Sequence, residues 1–324
     1  MTSLRDALLR ARERREPLVG SSETRAYRLV QGDAEGVPGT TLDRFDDVGV
    51  WSLYQSLSPA EEAELGDALM EVFPLRSLYL KRRPREARTA VPSELASEKP
   101  FRGEARPELS VKEHGLSFEI RPGQGLAVGL YLDMRETRRW LSAHAQGCTV
   151  LNAFAYTCAF GVSATAGGAA RVLNIDLSRK ALDWGVENAR ANGQSVERRD
   201  YLAGDVFDWL ERLDKKGERF DVVILDPPSF AQGREGRRRV FSAATDYPEL
   251  AARGARVTSP GGLLLACCNL AKLTPGRFQA QVEAGVVSAG RRISTAEHLP
   301  GGGLDFPFQP GEPPSLKVLA CRLW

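Results

Sequence analysis

Strand-like and helix-like segments alternate along the chain from about residue 121 to the C-terminus. The apolar runs VLNA, RVLNID and FDVVIL are each followed by a stretch whose apolar residues have helical spacing. The units repeat at roughly 25–30 residues, the length of one strand and the helix that leads to the next parallel strand. This pattern predicts an α/β domain over residues 121–324, with a mostly parallel, doubly wound sheet.

Polar residues follow several of these predicted strands. In open parallel sheets, ligands bind beyond the carboxyl ends of the strands, so residues directly after the strands are candidates for a site. The candidates are Asn152, Phe154, Tyr156 and Thr157 after the first strand, Asp176 and Leu177 after the second, Asp205 and Val206 after the third, and Asp226, Pro227, Pro228 and Phe230 after the fourth.

The first of these turns lacks the G-x-G-x-x-G pattern that cradles the pyrophosphate of a dinucleotide. The sequence therefore favours a nucleoside without a pyrophosphate, such as S-adenosylmethionine (SAM). Asp176 would accept the ribose hydroxyls, and Asp205 would bind the adenine edge. An aspartate at the position of Asp205 is equally typical of a helix N-cap.

The strand FDVVIL ends in the sequence DPPSF. Two successive prolines donate no backbone hydrogen bond and cannot continue a central strand, so the loop is rigid and leaves its carbonyl groups free. Such a loop can hold a planar base by hydrogen bonds, with Phe230 available for stacking. The alternative is a plain turn.

The first 120 residues have a different pattern. Residues 1–20 predict a short N-terminal helix, and residues 21–120 predict a small α+β domain that is a candidate for RNA binding. The charged N-terminus has no signal-peptide core, and no apolar run reaches the length of a membrane span. The five cysteines lack metal-ligand spacing, which predicts no metal site and a reducing, cytoplasmic setting.

The motifs, taken in order, resemble a known family. They are GLYLDMRETRRWL, VLNAFAYTCAFGVSATAGGA, VLNIDLSRKALDWGVENARANG, FDVVILDPPSF, DYPELAARGARVTSPGG and SLKVLACRL. Together they resemble the class I SAM-dependent methyltransferases that modify bacterial 23S ribosomal RNA, which have a Rossmann-like fold. The family has an RlmI-like branch that makes 5-methylcytosine and an RlmK-like branch that makes 7-methylguanine. The resemblance begins at about residue 20, so we expect the family's N-terminal PUA domain to be absent.

The resemblance implies cofactor contacts at the strand ends and at three residues that precede the first strand. These contacts come from Tyr131, Asp133 and Arg135, and from Asn152, Phe154, Tyr156, Thr157, Asp176, Asp205, Val206 and Asp226. The chain also departs from the family. Cys158 and Ala159 stand where the family often has two glycines, and residues 126–128 replace a Gln-Lys-Thr of the cytosine-modifying branch.

The strand after Gly261 and Gly262 indicates which base is methylated. In the cytosine-modifying branch, the nucleophilic cysteine lies seven residues after this glycine pair, and that position here is Asn269. Cys268 lies one residue earlier and should face away from the site, whereas Cys267 faces the site but is displaced by roughly 6–7 Å. We therefore expect direct transfer to a ring nitrogen, as in 7-methylguanine. The alternative is cytosine-5 methylation through Cys267 or Cys268.

The predicted function is thus methylation of a base in 23S ribosomal RNA or another structured RNA. The predicted catalytic residues are Asp226, Pro227, Pro228 and Asn269, and the predicted RNA contacts are Phe230, Arg234, Arg237, Arg238, Arg239 and Lys272. A methyltransferase acting on protein or a small molecule, and a non-catalytic RNA-binding or ribosome assembly factor, are the alternatives. The sequence leaves the oligomeric state open.

Overall fold

The structure is a computed structural model. The structure describes residues 3–83, 95–228, 230–231, 241–309, 311–312 and 314–324, with the backbone alone described at 230–231. The chain forms two compact units, Met1–Arg135 with Gly302–Glu312, and Glu136–Gly301 with Pro313–Trp324. The first unit therefore contains residues 121–135 and 302–312, which the sequence analysis assigned to the α/β domain.

The first unit is an α+β structure built on a five-stranded sheet. The sheet has the order β1-β2-β3-β4-β5, in which β3 and β4 are parallel and the other pairs are antiparallel. The elements are α1 (Leu4–Arg14), β1 (Ala26–Gln31), β2 (Thr40–Phe45), β3 (Val48–Leu53), α2 (Pro59–Val72), β4 (Ser77–Arg82), β5 (Arg102–Gly103), and the hairpin β6 (Leu109–Glu113) and β7 (Leu116–Ile120).

Helices α1 and α2 each begin after a serine N-cap, Ser3 and Ser58. Ser58 and Glu61 form a capping box at the start of α2, in which each side chain accepts from the other residue's backbone N–H. The apolar face of α1, including Leu8 and Ala11, packs in one core with Trp51 of β3 and Leu69 of α2. The α+β prediction for this part of the chain is confirmed by these elements.

The second unit is a seven-stranded sheet with helices on both faces. The sheet has the order β10-β9-β8-β11-β14-β16-β15, and its first five strands are parallel. The elements are α3 (Arg135–His144), β8 (Thr149–Ala153), α4 (Ala159–Ala166), β9 (Arg171–Asp176), α5 (Arg179–Ala191), β10 (Tyr201–Ala203), α6 (Val206–Lys215), β11 (Phe220–Leu225), β12 (Phe230–Ala231), β13 (Phe241–Ser242), α7 (Tyr247–Val257), β14 (Thr258–Cys268), α8 (Pro275–Ser288), β15 (Ile293–Leu299) and β16 (Lys317–Leu323).

The doubly wound α/β prediction is confirmed for this unit. The alternation of strand and helix did not reveal that β16 inserts antiparallel between β14 and β15. Strand β15 is exposed at five of its seven positions, so it lacks the apolar run by which the other strands were found. Within the described ranges, no helix combines the length and apolar character needed to cross a bilayer.

Candidate active site

The carboxyl ends of the parallel strands bring the strand-end candidates of the second unit to one edge of the sheet. Asn152 of β8 pairs with Asn174 of β9, and Asp176 at the end of β9 pairs with Ala203 of β10. On the other side of β8, Ala153 pairs with Leu225 of β11, the residue before Asp226. The residues that follow these strands therefore lie side by side, as the sequence predicts.

Asp176 organises the loop that follows β8. One carboxylate oxygen accepts a hydrogen bond from the backbone N–H of Tyr156 at 2.8 Å, and the other accepts from the N–H of Ser178 at 2.8 Å. Burial raises the pKa of this carboxyl, and the two backbone donors oppose the shift. The carboxylate keeps lone pairs that can accept further hydrogen bonds, as binding of a ribose diol requires.

The same loop has an unusual backbone conformation. Phe154, Tyr156 and Cys158 have φ values of +60°, +48° and +59°, in the left-handed region that non-glycine residues rarely adopt. Such residues cost on the order of 1–3 kcal/mol each and persist where the surroundings hold them, which is common at ligand sites. The N–H of Ala155 is held by the carbonyl of Ile175 at 2.9 Å, in addition to the bond from Tyr156 to Asp176.

Buried asparagine side chains stabilise this loop and the strand before it. The Asn152 amide donates to Oδ1 of Asn174 at 2.9 Å, and both side chains are almost completely buried. The Asn188 amide of α5 donates to the carbonyl of Thr157 at 3.0 Å. Asn152 and Thr157 therefore have structural contacts in addition to the cofactor contacts predicted for them. Asn174 and Asn188 are not among the residues predicted from the sequence, although a single asparagine within the apolar strand RVLNID indicates a buried amide with a partner.

Cys158 and Gly185 fit together as a pair. Cys158 begins α4 in the left-handed conformation that the glycine of the family motif would adopt without strain. Its side chain is accommodated because α5 has a glycine opposite, since a Cβ on Gly185 would lie 2.7 Å from Cβ of Cys158. Burial raises the pKa of the Cys158 thiol well above its usual value, so the thiol stays protonated and unreactive at neutral pH.

Gly185→Ala is expected to destabilise the protein because the added methyl group collides with Cys158. Overpacking of this kind costs about 1–3 kcal/mol, which thermal unfolding measures directly. The double variant Cys158→Gly/Gly185→Ala should recover most of the lost stability, because removal of the Cys158 side chain makes room for the added methyl group. A Gly185→Ala protein as stable as the wild type would contradict this pairing.

Asp205 is the N-cap of α6. Its Oδ1 accepts from the backbone N–H groups of Phe207 at 2.8 Å and Asp208 at 3.4 Å, so the capping alternative is confirmed. A contact between Asp205 and an adenine stays a prediction. Leu177, directly after Asp176, is 46% exposed, whereas Val206 is buried. An exposed leucine beside the ribose candidate offers an apolar surface for a purine ring.

The predicted cofactor residues of the first unit lie in and beside a short helical turn, Leu132–Met134. Tyr131 is exposed, and the carbonyl of Asp133 accepts from the N–H of Gly302 at 3.1 Å. Arg135 is buried, and its guanidinium forms a two-bond ion pair with the fully buried carboxylate of Asp305, at 2.6 and 3.0 Å. This pair fixes the segment, and a cofactor contact by Arg135 stays a prediction.

At the end of β14, the strand faces follow the predicted alternation. Cys268 is buried within the core formed with α7 and α8, while Cys267, also buried, lies on the other face of the sheet. Burial raises the pKa of the Cys268 thiol. Asn269 and Lys272 are exposed in the turn that follows the strand. Asn269 is the first residue of this strand end that is accessible from solvent.

The loop after Asp226 is described only in part. Pro227 is buried and Pro228 is exposed, and the backbone of Phe230 pairs with Ser242 in a two-residue ribbon. Arg234, Arg237, Arg238 and Arg239, predicted to contact RNA, lie outside the described residues, as does the side chain of Phe230. These predictions therefore stay predictions.

A cavity of about 430 Å³ lies at the opposite edge of the same sheet. It is lined by Trp140, His144, Cys148, Asp221 and Gly262, among others. Cys148 and Asp221 stand near the amino ends of their strands, whereas ligands of open α/β sheets bind at the carboxyl ends. Of the predicted site residues that the structure describes, none lines this cavity.

Comparison with known proteins decides the family. A family model for S-adenosylmethionine-dependent methyltransferases matches residues 79–295, more than half of the chain. The chain belongs to this family. It is therefore an enzyme that uses SAM, and the predictions of a transferase and of its cofactor are confirmed. The organised loop, the Asp176 carboxylate and the lack of a pyrophosphate cradle fit this cofactor.

Relatives and solved structures extend the comparison. Ribosomal RNA large subunit methyltransferase I of Photobacterium profundum is 32% identical over 317 residues, which covers 95% of this chain and 77% of the relative. The protein of the same name from Escherichia coli is 31% identical over 319 residues, which covers 98% of this chain and 79% of that relative. The crystal structure of a methyltransferase complexed with S-adenosylhomocysteine has a TM-score of 0.86 and 29% identity, over 99% of this chain and 83% of that chain. These comparisons confirm the Rossmann-like fold and the predicted resemblance.

Proposed function

We propose that this methyltransferase modifies a base of large-subunit ribosomal RNA. The observation that carries the proposal is the cluster at one sheet edge, where the Asp226-Pro227-Pro228 strand end lies beside the residues that fit SAM. Two relatives are 32% and 31% identical to this chain over most of its length, and both are named as methyltransferases of large-subunit ribosomal RNA. A flipped-out base needs hydrogen-bonding groups held in a fixed position, and we assign that role to the strand end at Asp226, Pro227 and Pro228.

In this proposal, Asp176 binds the ribose, and the loop from Asn152 to Thr157 surrounds the amino-acid tail of the cofactor. Leu177, Asp205 and Val206 bind the adenine, and cofactor contacts by Tyr131, Asp133 and Arg135 stay predictions from the family resemblance. SAM supplies a methyl group bonded to a positively charged sulfur. The carbon of this methyl group is electrophilic without further activation. The protein then needs only to orient the base and to exclude water around it.

We propose that Asp226 and Asn269 orient the base for direct transfer to a ring nitrogen. With SAM bound, Asp226 and Asn269 would hold the ring nitrogen so that its lone pair could bond to the methyl carbon. The sulfur would keep the electron pair of the broken bond, and the positive charge would pass from the sulfur to the base. The exposure of Asn269 supports this reading, because both cysteines before it are buried. The protonated form of Cys268 is favoured by burial, which disfavours a nucleophilic thiolate there.

A second candidate is cytosine-5 methylation through Cys267 or Cys268. Its support comes from the relatives, whose name belongs to the branch that makes 5-methylcytosine. This reaction needs a thiolate that bonds to carbon-6 of the ring, and the thiolate leaves again after carbon-5 has accepted the methyl group and has lost its proton to a base. Cys267 lies on the face of β14 opposite Cys268 and is two positions, roughly 6–7 Å, before Asn269 along the chain.

Cys267→Ser is expected to leave turnover within about threefold of the wild type, because direct transfer uses no thiolate. The measurement is the initial rate of methyl transfer from labelled SAM to large-subunit RNA. Cys268→Ser tests the other candidate thiol, on the opposite face of the strand, and should also leave turnover within about threefold of the wild type. A Cys267→Ser enzyme that folds and binds SAM but is inactive would favour the cytosine mechanism.

RNA contacts are proposed for the exposed Lys272 and for the basic loop with Arg234, Arg237, Arg238 and Arg239, with Phe230 stacking on the base. A lysine or arginine at a phosphate contributes to affinity in a salt-dependent way. The product itself tests the proposal. Purified enzyme, labelled SAM and unmodified large-subunit RNA should give one methylated nucleoside, identified by mass spectrometry. 7-Methylguanosine supports direct transfer, 5-methylcytidine supports the second candidate, and no labelled RNA would contradict both.

A further inference from the structure

Tyr247 joins the ends of the two strands that carry the proposed base-binding residues. It is the first residue of α7 and is fully buried, and its hydroxyl lies 3.1 Å from the carbonyl of Leu225 and 2.9 Å from the carbonyl of Cys267. Leu225 directly precedes Asp226, and Cys267 lies two residues before Asn269. One side chain therefore contacts the backbone just before each proposed base-orienting residue.

This contact lies at the point where the sheet stops holding the two strands together. The last paired residues of β11 and β14 are Leu225 and Ala266, so the Tyr247 hydroxyl bridges the strands immediately past the final pair. A hydroxyl has one proton, which the two carbonyl groups share. Burial raises the pKa of Tyr247 well above its usual value, so the hydroxyl stays a neutral donor.

Lys317 holds the next part of the same strand end. It is the first residue of β16, pairs with Cys268 and is almost completely buried. Its ammonium donates to the carbonyl of Leu270 at 2.6 Å and to the carbonyl of Ser315 at 2.6 Å. The backbone on both sides of Asn269 is therefore fixed by buried donors, from Tyr247 before it and from Lys317 after it.

We infer that Tyr247 and Lys317 are positioning residues for methyl transfer, which set the spacing between Asp226 and Asn269 by holding the backbone of Leu225, Cys267 and Leu270. The inference rests on the function proposed above, in which Asp226 and Asn269 orient the base. Neither Tyr247 nor Lys317 has to touch substrate or cofactor in this role. A small shift of one strand end is sufficient to misplace a base relative to the methyl group.

Tyr247→Phe tests this role with little change in packing. The Tyr247 ring packs edge-on against Phe278, with centroids 4.8 Å apart at 84°, and a phenylalanine keeps that contact. Loss of one buried hydrogen-bond donor should lower kcat about tenfold or more, with the dissociation constant of SAM changed less than about threefold. Lys317→Met should have the same signature.

Thr258→Val is the matched control. Thr258 begins the same strand β14 at its other end, is fully buried, and donates its hydroxyl to the carbonyl of Gly254 at 2.9 Å. This change also removes one buried hydroxyl without altering the shape of the side chain. It should lower the melting temperature as much as Tyr247→Phe does, while leaving kcat of the folded enzyme unchanged.

Hydrogen exchange of the SAM-bound enzyme decides the inference without any RNA substrate. In Tyr247→Phe, amides at the ends of β11 and β14 should exchange about tenfold faster, while those of β8 and β9 keep their wild-type rates. Equal exchange in Tyr247→Phe and wild type, or the same local acceleration in Thr258→Val, would overturn the inference. If the wild type methylates no RNA, the proposed function fails, and the exchange pattern still decides whether the two residues hold the strand ends.

Discussion

Asp176→Ala is expected to weaken SAM binding at least a hundredfold, measured by titration calorimetry. The carboxylate would accept both ribose hydroxyls, and hydrogen bonds to a charged group contribute about 1.5–3 kcal/mol each. Two such bonds correspond to a factor of about 100 or more in affinity. The substitution also removes the acceptor of the Tyr156 N–H, so the loop with three left-handed residues loses one of its supports.

Asp183→Ala provides the control for this result. Asp183 lies on α5 just beyond Asp176 and forms an exposed ion pair with Arg198 at 2.9 Å. Exposed pairs contribute little, so this variant should bind SAM as the wild type does. Wild-type affinity in a folded Asp176→Ala protein would contradict the assignment of the ribose site.

Asp226→Asn is expected to lower kcat about a hundredfold or more, with a smaller loss of SAM affinity than in Asp176→Ala. A carboxylate at this position can accept hydrogen bonds from N–H groups on the Watson–Crick edge of a base. An asparagine keeps the shape but presents an NH₂ group to one of those donors and leaves it unsatisfied. The loss of one or two hydrogen bonds to a charged group, about 3–4 kcal/mol in all, sets the expected size.

Asp221→Asn is the corresponding control at the other end of β11. Asp221 accepts from the backbone N–H and the hydroxyl of Thr149, both at 2.8 Å, at the opposite edge of the sheet. Its replacement should lower the melting temperature and leave kcat of the folded enzyme near the wild-type value. If both variants lower kcat equally, Asp226 has no specific role in orienting the base.

The residues at the carboxyl ends of the parallel strands can be predicted from the sequence, because polar residues directly follow the apolar runs that form these strands. Asp176 and Asp226 follow apolar runs, and parallel strands bring such residues together whatever the details of packing. The prediction that Cys267 and Cys268 face opposite sides of the sheet succeeds for the same reason, since it follows from strand alternation alone.

Other parts of the site depend on contacts between residues far apart in the chain. The ion pair of Arg135 with Asp305 and the bridge from Tyr247 to the two strand ends join segments that no local pattern connects. The fit of Cys158 against Gly185 is of the same kind. Periodicity identifies an element and its buried face, but it does not identify which side chain of another element meets it.

Deleting the gene in its host and comparing the nucleosides of large-subunit ribosomal RNA by mass spectrometry tests the central claim most directly. We expect the deletion strain to lack one methylated nucleoside, 7-methylguanosine, at one position, and a plasmid copy to restore it. The Asp176→Ala copy should not restore it. Ribosomal RNA with the same methylated nucleosides in the deletion and parent strains would contradict the proposal that this enzyme acts on that RNA.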